Sequence, residues 1–148
     1  MKNISIMAAG LSLTLALGST AHSAESPDDL VIVANKSVNL TQADLDTVRD
    51  IFLKKRGTWP NGQEAVPVNA SEGSDLRAAF LRKVLAMSPG EEQSYWQKEQ
   101  LTGGKMKPAD FPTPLKAVFK VKGSVGYVFR KDLKADLVNT ILVLPAGQ

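Results

Sequence analysis

Short apolar runs of strand character alternate with stretches of helical spacing along this 148-residue chain. A sheet faced by helices is the layered arrangement that buries both kinds of segment, so the fold class is α/β. The first run, Leu30-Val-Ile-Val33, is of the β-branched kind that fills a buried strand. Thr41 with Asp44 resembles a capping box, and Leu45, Val48, Ile51 and Phe52 recur at helical spacing, which predicts an amphipathic helix from Thr41 to Lys55 ended by Gly57. Trp59-Pro-Asn-Gly62 has the composition of a turn, and Ala65-Val-Pro-Val-Asn69 reads as a second strand. Leu76, Phe80, Val84 and Met87 then mark a second helix beginning near Ser74. Ser88-Pro89-x-Glu91 combines an N-cap, a first-turn proline and a capping acid, and starts a third helix that carries Tyr95 and Trp96 and stops before Gly103-Gly104. Beyond a Pro-rich link from Lys107 to Pro114, Leu115 to Lys122 is a short helix closed by Gly123. Ser124 to Phe129 and Thr140 to Leu144 read as further strands.

The first 24 residues have a different character. Lys2 precedes an uncharged run from Asn3 to Ala21 with an apolar centre, and Gly18 to Ala24 is rich in small residues, the three-part pattern of a secretory signal. The apolar stretch falls short of the roughly 20 residues that a membrane span needs. Cleavage after Ser23 or nearby separates a signal peptide, 1–24, from a domain over 25–148. With no cysteine in the chain, the exported product cannot be a lipoprotein, so a periplasmic or secreted location is expected. The only histidine, His22, leaves with the signal. A mature chain without His or Cys excludes Ser-His and Cys-His nucleophiles, thiolate and imidazole metal sites, haem ligation and disulfides, so neither a cofactor nor a metal is expected and the chain is read as no enzyme. The slight positive balance gives no argument for nucleic acid.

The loop Asn69-Ala-Ser-Glu-Gly-Ser-Asp-Leu-Arg77 is the most suggestive candidate site. A helix N-terminus exposes unpaired N–H groups, a glycine lets a ligand approach the main chain, and Ser71, Ser74 and Arg77 would add hydroxyl and guanidinium donors, a set suited to an anion. Capping alone would also account for Ser, Gly and Asp at a helix start, and Glu72 and Asp75 oppose a bound anion. The acidic pairs Asp28-Asp29, Asp44 with Asp46, and Glu91-Glu92 read as solvated loop or first-turn acids rather than a general acid–base pair. Trp59, Tyr95 and Trp96 read as packing residues.

Asp50-Ile-Phe-Leu-Lys-Lys-Arg-Gly-Thr-Trp59, Pro60-Asn-Gly62, Val66-Pro-Val-Asn69, Gly73-Ser74-x-x-Arg77-x-x-Phe80 and Gly123-Ser-Val-Gly-Tyr-Val128 occur in that order. Together they resemble short, secreted relatives of the phosphate ABC transporter substrate-binding proteins, in the type 2 periplasmic binding protein superfamily. The resemblance runs from about Leu30 to Phe129. It implies a single lobe of that PBP-like domain, a mixed sheet flanked by helices, with Gly73 and Ser74 where the family's loop donates to phosphate and Ser71 beside them. Asn69 and Ala70 stand where the family has an arginine, and Arg77 is one turn further on. Ser71, Gly73, Ser74, Asp75 and Arg77 are therefore the expected ligand-binding residues, with Asp75 able to accept a proton from monohydrogen phosphate. A mature chain of about 124 residues has room for one lobe, whereas complete binders close two over their ligand. The implied roles are transport with an ABC permease as partner, binding completed by a second copy, or an envelope interaction module that has lost the anion, docking near Trp59 or Tyr95-Trp96.

Overall fold

The computed structural model describes residues 24–147, so the signal predicted over 1–24 lies, but for Ala24, outside the described residues. Along the chain run β1 (Leu30–Ala34), α1 (Leu45–Phe52), β2 (Val66–Pro67), β3 (Asn69–Ala70), α2 (Asp75–Phe80), α3 (Pro89–Gly103), β4 (Asp110–Phe111), α4 (Pro114–Lys120), β5 (Ser124–Phe129) and β6 (Asn139–Leu144). β1 is antiparallel to both β5 and β6, and β2 adds to β5 in parallel, which gives a mixed sheet in the order β2-β5-β1-β6. β3 and β4 pair in parallel as a separate ribbon. Among the described residues no helix is long and apolar enough to cross a membrane.

The apolar run at the centre is buried on both sides because helices cover both faces, every residue of β1 being 0% exposed. Successive side chains of a strand alternate. Leu30, Ile32 and Ala34 pack with Val48, Phe52, Phe80 and Val84 beneath α1 and α2, and Val31 and Val33 pack with Leu115 and Val118 beneath α4. β5 presents Tyr127 to the first face, where its ring stacks on Phe80 with centroids 4.0 Å apart. To the second face it presents Gly126, at which a Cβ would lie 2.8 Å from Val118 Cγ2. The missing side chain lets α4 sit directly on the sheet.

Several boundaries differ from expectation for local reasons. Asp44, not Thr41, caps α1, its Oδ1 accepting from the Thr47 N–H at 2.7 Å. The helix stops at Phe52 because Lys54 takes a left-handed φ of 54°, three residues before Gly57. The strand expected over Ala65 to Asn69 splits in two. Val66 and Val68 donate to Gly123 and Val125 of the main sheet, after which the Asn69 N–H turns away to Ala109. α2 loosens into a π-helical turn over Leu81–Leu85 that ends at Ala86, φ 53°. Ser88 caps α3 as expected, and the helix includes Gly103 and ends on Gly104 at φ 66°.

Candidate functional site

The Ser71–Ser74 loop leaves the end of β3 and enters α2, and each end is held by a different device. At the strand end, Asn69 and Ala70 are buried, and the Tyr127 hydroxyl accepts from the Ala70 N–H at 2.8 Å and donates to Asn69 Oδ1 at 3.1 Å. Burial holds the Tyr127 phenol well above its ordinary range, so it stays a neutral donor. At the helix end, Ser74 Oγ accepts from the Arg77 N–H at 3.1 Å and donates back to the Ser71 carbonyl at 2.7 Å. The serine expected to donate to an anion therefore already caps the helix and closes the turn.

Between these anchors the main chain is open. Gly73 has φ 79°, a conformation that favours glycine, and nothing lies within 4 Å of the position a Cβ would take. Ser71 and Ser74 are half-buried, and Glu72, Gly73 and Asp75 are exposed. Ser71, Gly73, Ser74 and Asp75 are thus brought together on one accessible turn.

Arg77 does not face that turn. Its side chain is 3% exposed and its donors are spent inside the protein. Nε donates to Glu92 Oε2 at 3.3 Å, Nη2 to Glu92 Oε1, and Nη1 to both the Ala70 carbonyl at 2.8 Å and Asp110 Oδ1 at 3.1 Å. Burial opposes its charge, but the hydrogen bonds to Glu92 and Asp110 outweigh that cost and hold it protonated. The expectation that its guanidinium contacts a bound anion meets a group already neutralised by two carboxylates. Its position supports the loop from beneath, through Ala70.

The partners of Arg77 are residues that sequence reasoning missed. Glu92 was expected to be a solvated first-turn acid, yet it is 6% exposed beneath α3. The available signal was Arg77 itself, because Phe80, Leu81 and Val84 follow at three, four and seven residues, which puts the arginine on the buried stripe and demands an acid. Asp29 is likewise buried, accepting from the Ser26 N–H, the Ala146 N–H and Arg130 Nε. Lys107, in the Pro-rich link, reaches within 3.9 Å of Glu72 and 3.8 Å of Asp110. Hollows of about 380 Å³ and 440 Å³ flank the turn, one reached by Glu72, Lys105 and Lys107, the other by Asp75, Arg82, Lys83 and Lys131. Trp59 and Trp96 are 1% and 8% exposed, and the Tyr95 hydroxyl donates to the Leu53 carbonyl at 2.7 Å, so these aromatics pack the interior rather than forming a docking patch.

No protein-family model matches the sequence, and no curated protein does. Among solved structures, a putative phosphate ABC transporter substrate-binding protein with bound phosphate from Clostridium perfringens is similar at TM-score 0.57 and 19% identity, over 77% of this chain and 44% of that one. An ABC-type phosphate transport receptor from Vibrio cholerae matches at TM-score 0.57 and 14% identity, over 79% of this chain and 47% of that one. PstS from Borrelia burgdorferi matches at TM-score 0.57 and 13% identity, over 77% and 46%. The chain spans less than half the length of these proteins. It has the α/β fold expected from the resemblance, similar to a little under half of each of these proteins.

Proposed function

We propose that this chain is an exported, non-catalytic binding protein whose Ser71–Asp75 turn holds phosphate or a related oxyanion on an open face. The observation that carries the reading is the exposed main chain at Gly73, flanked by Ser71 and Ser74, on a fold similar to that of phosphate-transport receptors. Ser71 and the Gly73 main chain act as donors to the anion. Ser74 shapes the turn: its oxygen caps the Arg77 N–H and its one proton goes to the Ser71 carbonyl. Asp75 accepts the proton of monohydrogen phosphate, which selects it over sulfate. Arg77 positions the loop through the Ala70 carbonyl, and Lys107 supplies positive charge next to Glu72.

A ligand on one lobe keeps much of its water, and each hydrogen bond there is worth less than in a closed cleft. Binding is therefore weak unless a second copy or an ABC permease covers the site. Calorimetric titration of the mature protein with phosphate, sulfate and citrate tests the reading. Saturable phosphate binding is expected, weakened by Ser71→Ala, whose hydroxyl makes no hydrogen bond among the described residues, with the preference over sulfate lost in Asp75→Asn. Flat traces into the millimolar range would overturn it and leave the lobe as an interaction scaffold.

A further inference from the structure

The edge of the main sheet formed by β2 carries two adjoining hollows of about 790 Å³ and 450 Å³, which share Phe111 and Val121. Val66, Pro67 and Val68 form the floor. Met106, Pro108 and Phe111 form one wall, and the groove continues past Val121 along α4. The surface is apolar where apolar side chains are costly to leave wet, with Met106 68% and Val121 40% exposed.

Its rim is basic. Lys54, Arg56, Lys107, Lys116 and Lys120 border the two hollows against Glu64 and Asp110. Asp110 is already paired with Arg77 and Lys107, whereas Lys54, Lys116 and Lys120 make no ion pair among the described residues. Positive charge around an apolar floor complements a chain segment in which apolar anchors alternate with acids.

The backbone of the floor decides how such a segment is held. Val66 and Val68 direct their N–H groups inward to β5, so the alternate positions face the groove. There the Ala65 N–H is bonded to Gly57 O and the Asn69 N–H to Ala109 O, each at 2.9 Å, and Pro67 has no N–H. The edge is closed to an added strand. A partner must be gripped by side chains, and a concave floor suits a narrow chain better than a flat lipid surface.

We propose that this groove docks an acidic linear segment of another protein, its apolar residues seated against Val66, Met106 and Val121 and its carboxylates on the lysine rim. Lys107 borders both this groove and the Ser71–Asp75 turn, so the test uses Lys116, Lys120 and Val121, which line neither hollow at the turn. Random dodecapeptides displayed on phage are selected on the purified mature protein, and enriched peptides are then measured by fluorescence anisotropy. Peptides rich in Asp and Glu with Leu, Phe or Trp are expected, their affinity falling about tenfold in Lys116→Glu/Lys120→Glu and in Val121→Asp, and falling with added salt. These positions are exposed, and circular dichroism checks that the variants keep the fold. Absence of enrichment, enrichment of basic or uncharged peptides, or binding indifferent to both variants would overturn the proposal. So would binding of phosphatidylglycerol vesicles with no peptide selected, or a dimer in sedimentation that Val121→Asp abolishes.

Discussion

Removing the charge of Glu92 while keeping its shape is the sharpest test of how the loop is held. In Glu92→Gln, Arg77 stays charged at 3% exposure and loses one of its two carboxylates. Breaking a buried pair by removing one partner costs about 3–5 kcal/mol, because the remaining charge is left uncompensated. Asp110 remains 3.1 Å from Nη1 with 27% side-chain exposure, so part of the compensation survives. The expected loss is therefore about 2–4 kcal/mol, a large share of the roughly 5–15 kcal/mol that holds a domain together. At about 4 °C per kcal/mol for a chain of this size, the melting point falls by roughly 8–16 °C. Urea titration followed by tryptophan fluorescence reads it, since Trp96 lies one turn after Glu92 on α3 and is 8% exposed. The cycle is completed by Arg77→Met and by Arg77→Met/Glu92→Gln. The double variant removes both charges and is expected to be less destabilised than the sum of the singles by at least about 1.5 kcal/mol. Additivity within about 0.5 kcal/mol, or a Glu92→Gln protein as stable as the parent, would refute the view that a buried ion pair anchors the loop.

Gly126→Ala places a methyl 2.8 Å from Val118 Cγ2 and 3.0 Å from Val68 Cγ2, and this overpacking is expected to cost about 1–3 kcal/mol in thermal melts. Tyr127→Phe leaves the buried Ala70 N–H and Asn69 side chain without their partner, at a cost of about 1–3 kcal/mol, and speeds hydrogen exchange at Ala70 in β3 before that of β5. Backbone N–H groups of Ser26 and Ala146, helped by Arg130, hold Asp29 below the ordinary value of 3.8. A carboxylate lowered on folding contributes stability that is present above the unfolded value and lost as pH falls through the folded one. Melts taken from neutral pH downward should therefore show a steeper acid loss in the parent than in Asp29→Asn, and parallel curves would count against the tie between the two ends of the chain.

Much of the architecture was legible from local pattern. Leu30 to Val33 reads as a buried strand and forms one, and Ser74 and Ser88 start their helices as spacing and capping chemistry require. Both are short-range effects, set by alternation along a strand and by unpaired amides in a first turn. The ribbon of β3 and β4 was not legible, because two residues in a Pro-rich link, Asp110 and Phe111, show no periodicity and acquire strand character only by pairing with Asn69 and Ala70. The same distinction applies to the site. The order of residues determined that Ser71, Gly73, Ser74 and Asp75 share one turn, since neighbours in a tight loop must lie together. Helical spacing put Arg77 on the buried stripe, but only the tertiary structure decided which acids meet it, because Glu92 and Asp110 lie 15 and 33 residues away. A buried charge goes where its neutralising partners are, and chain spacing alone does not say where that is.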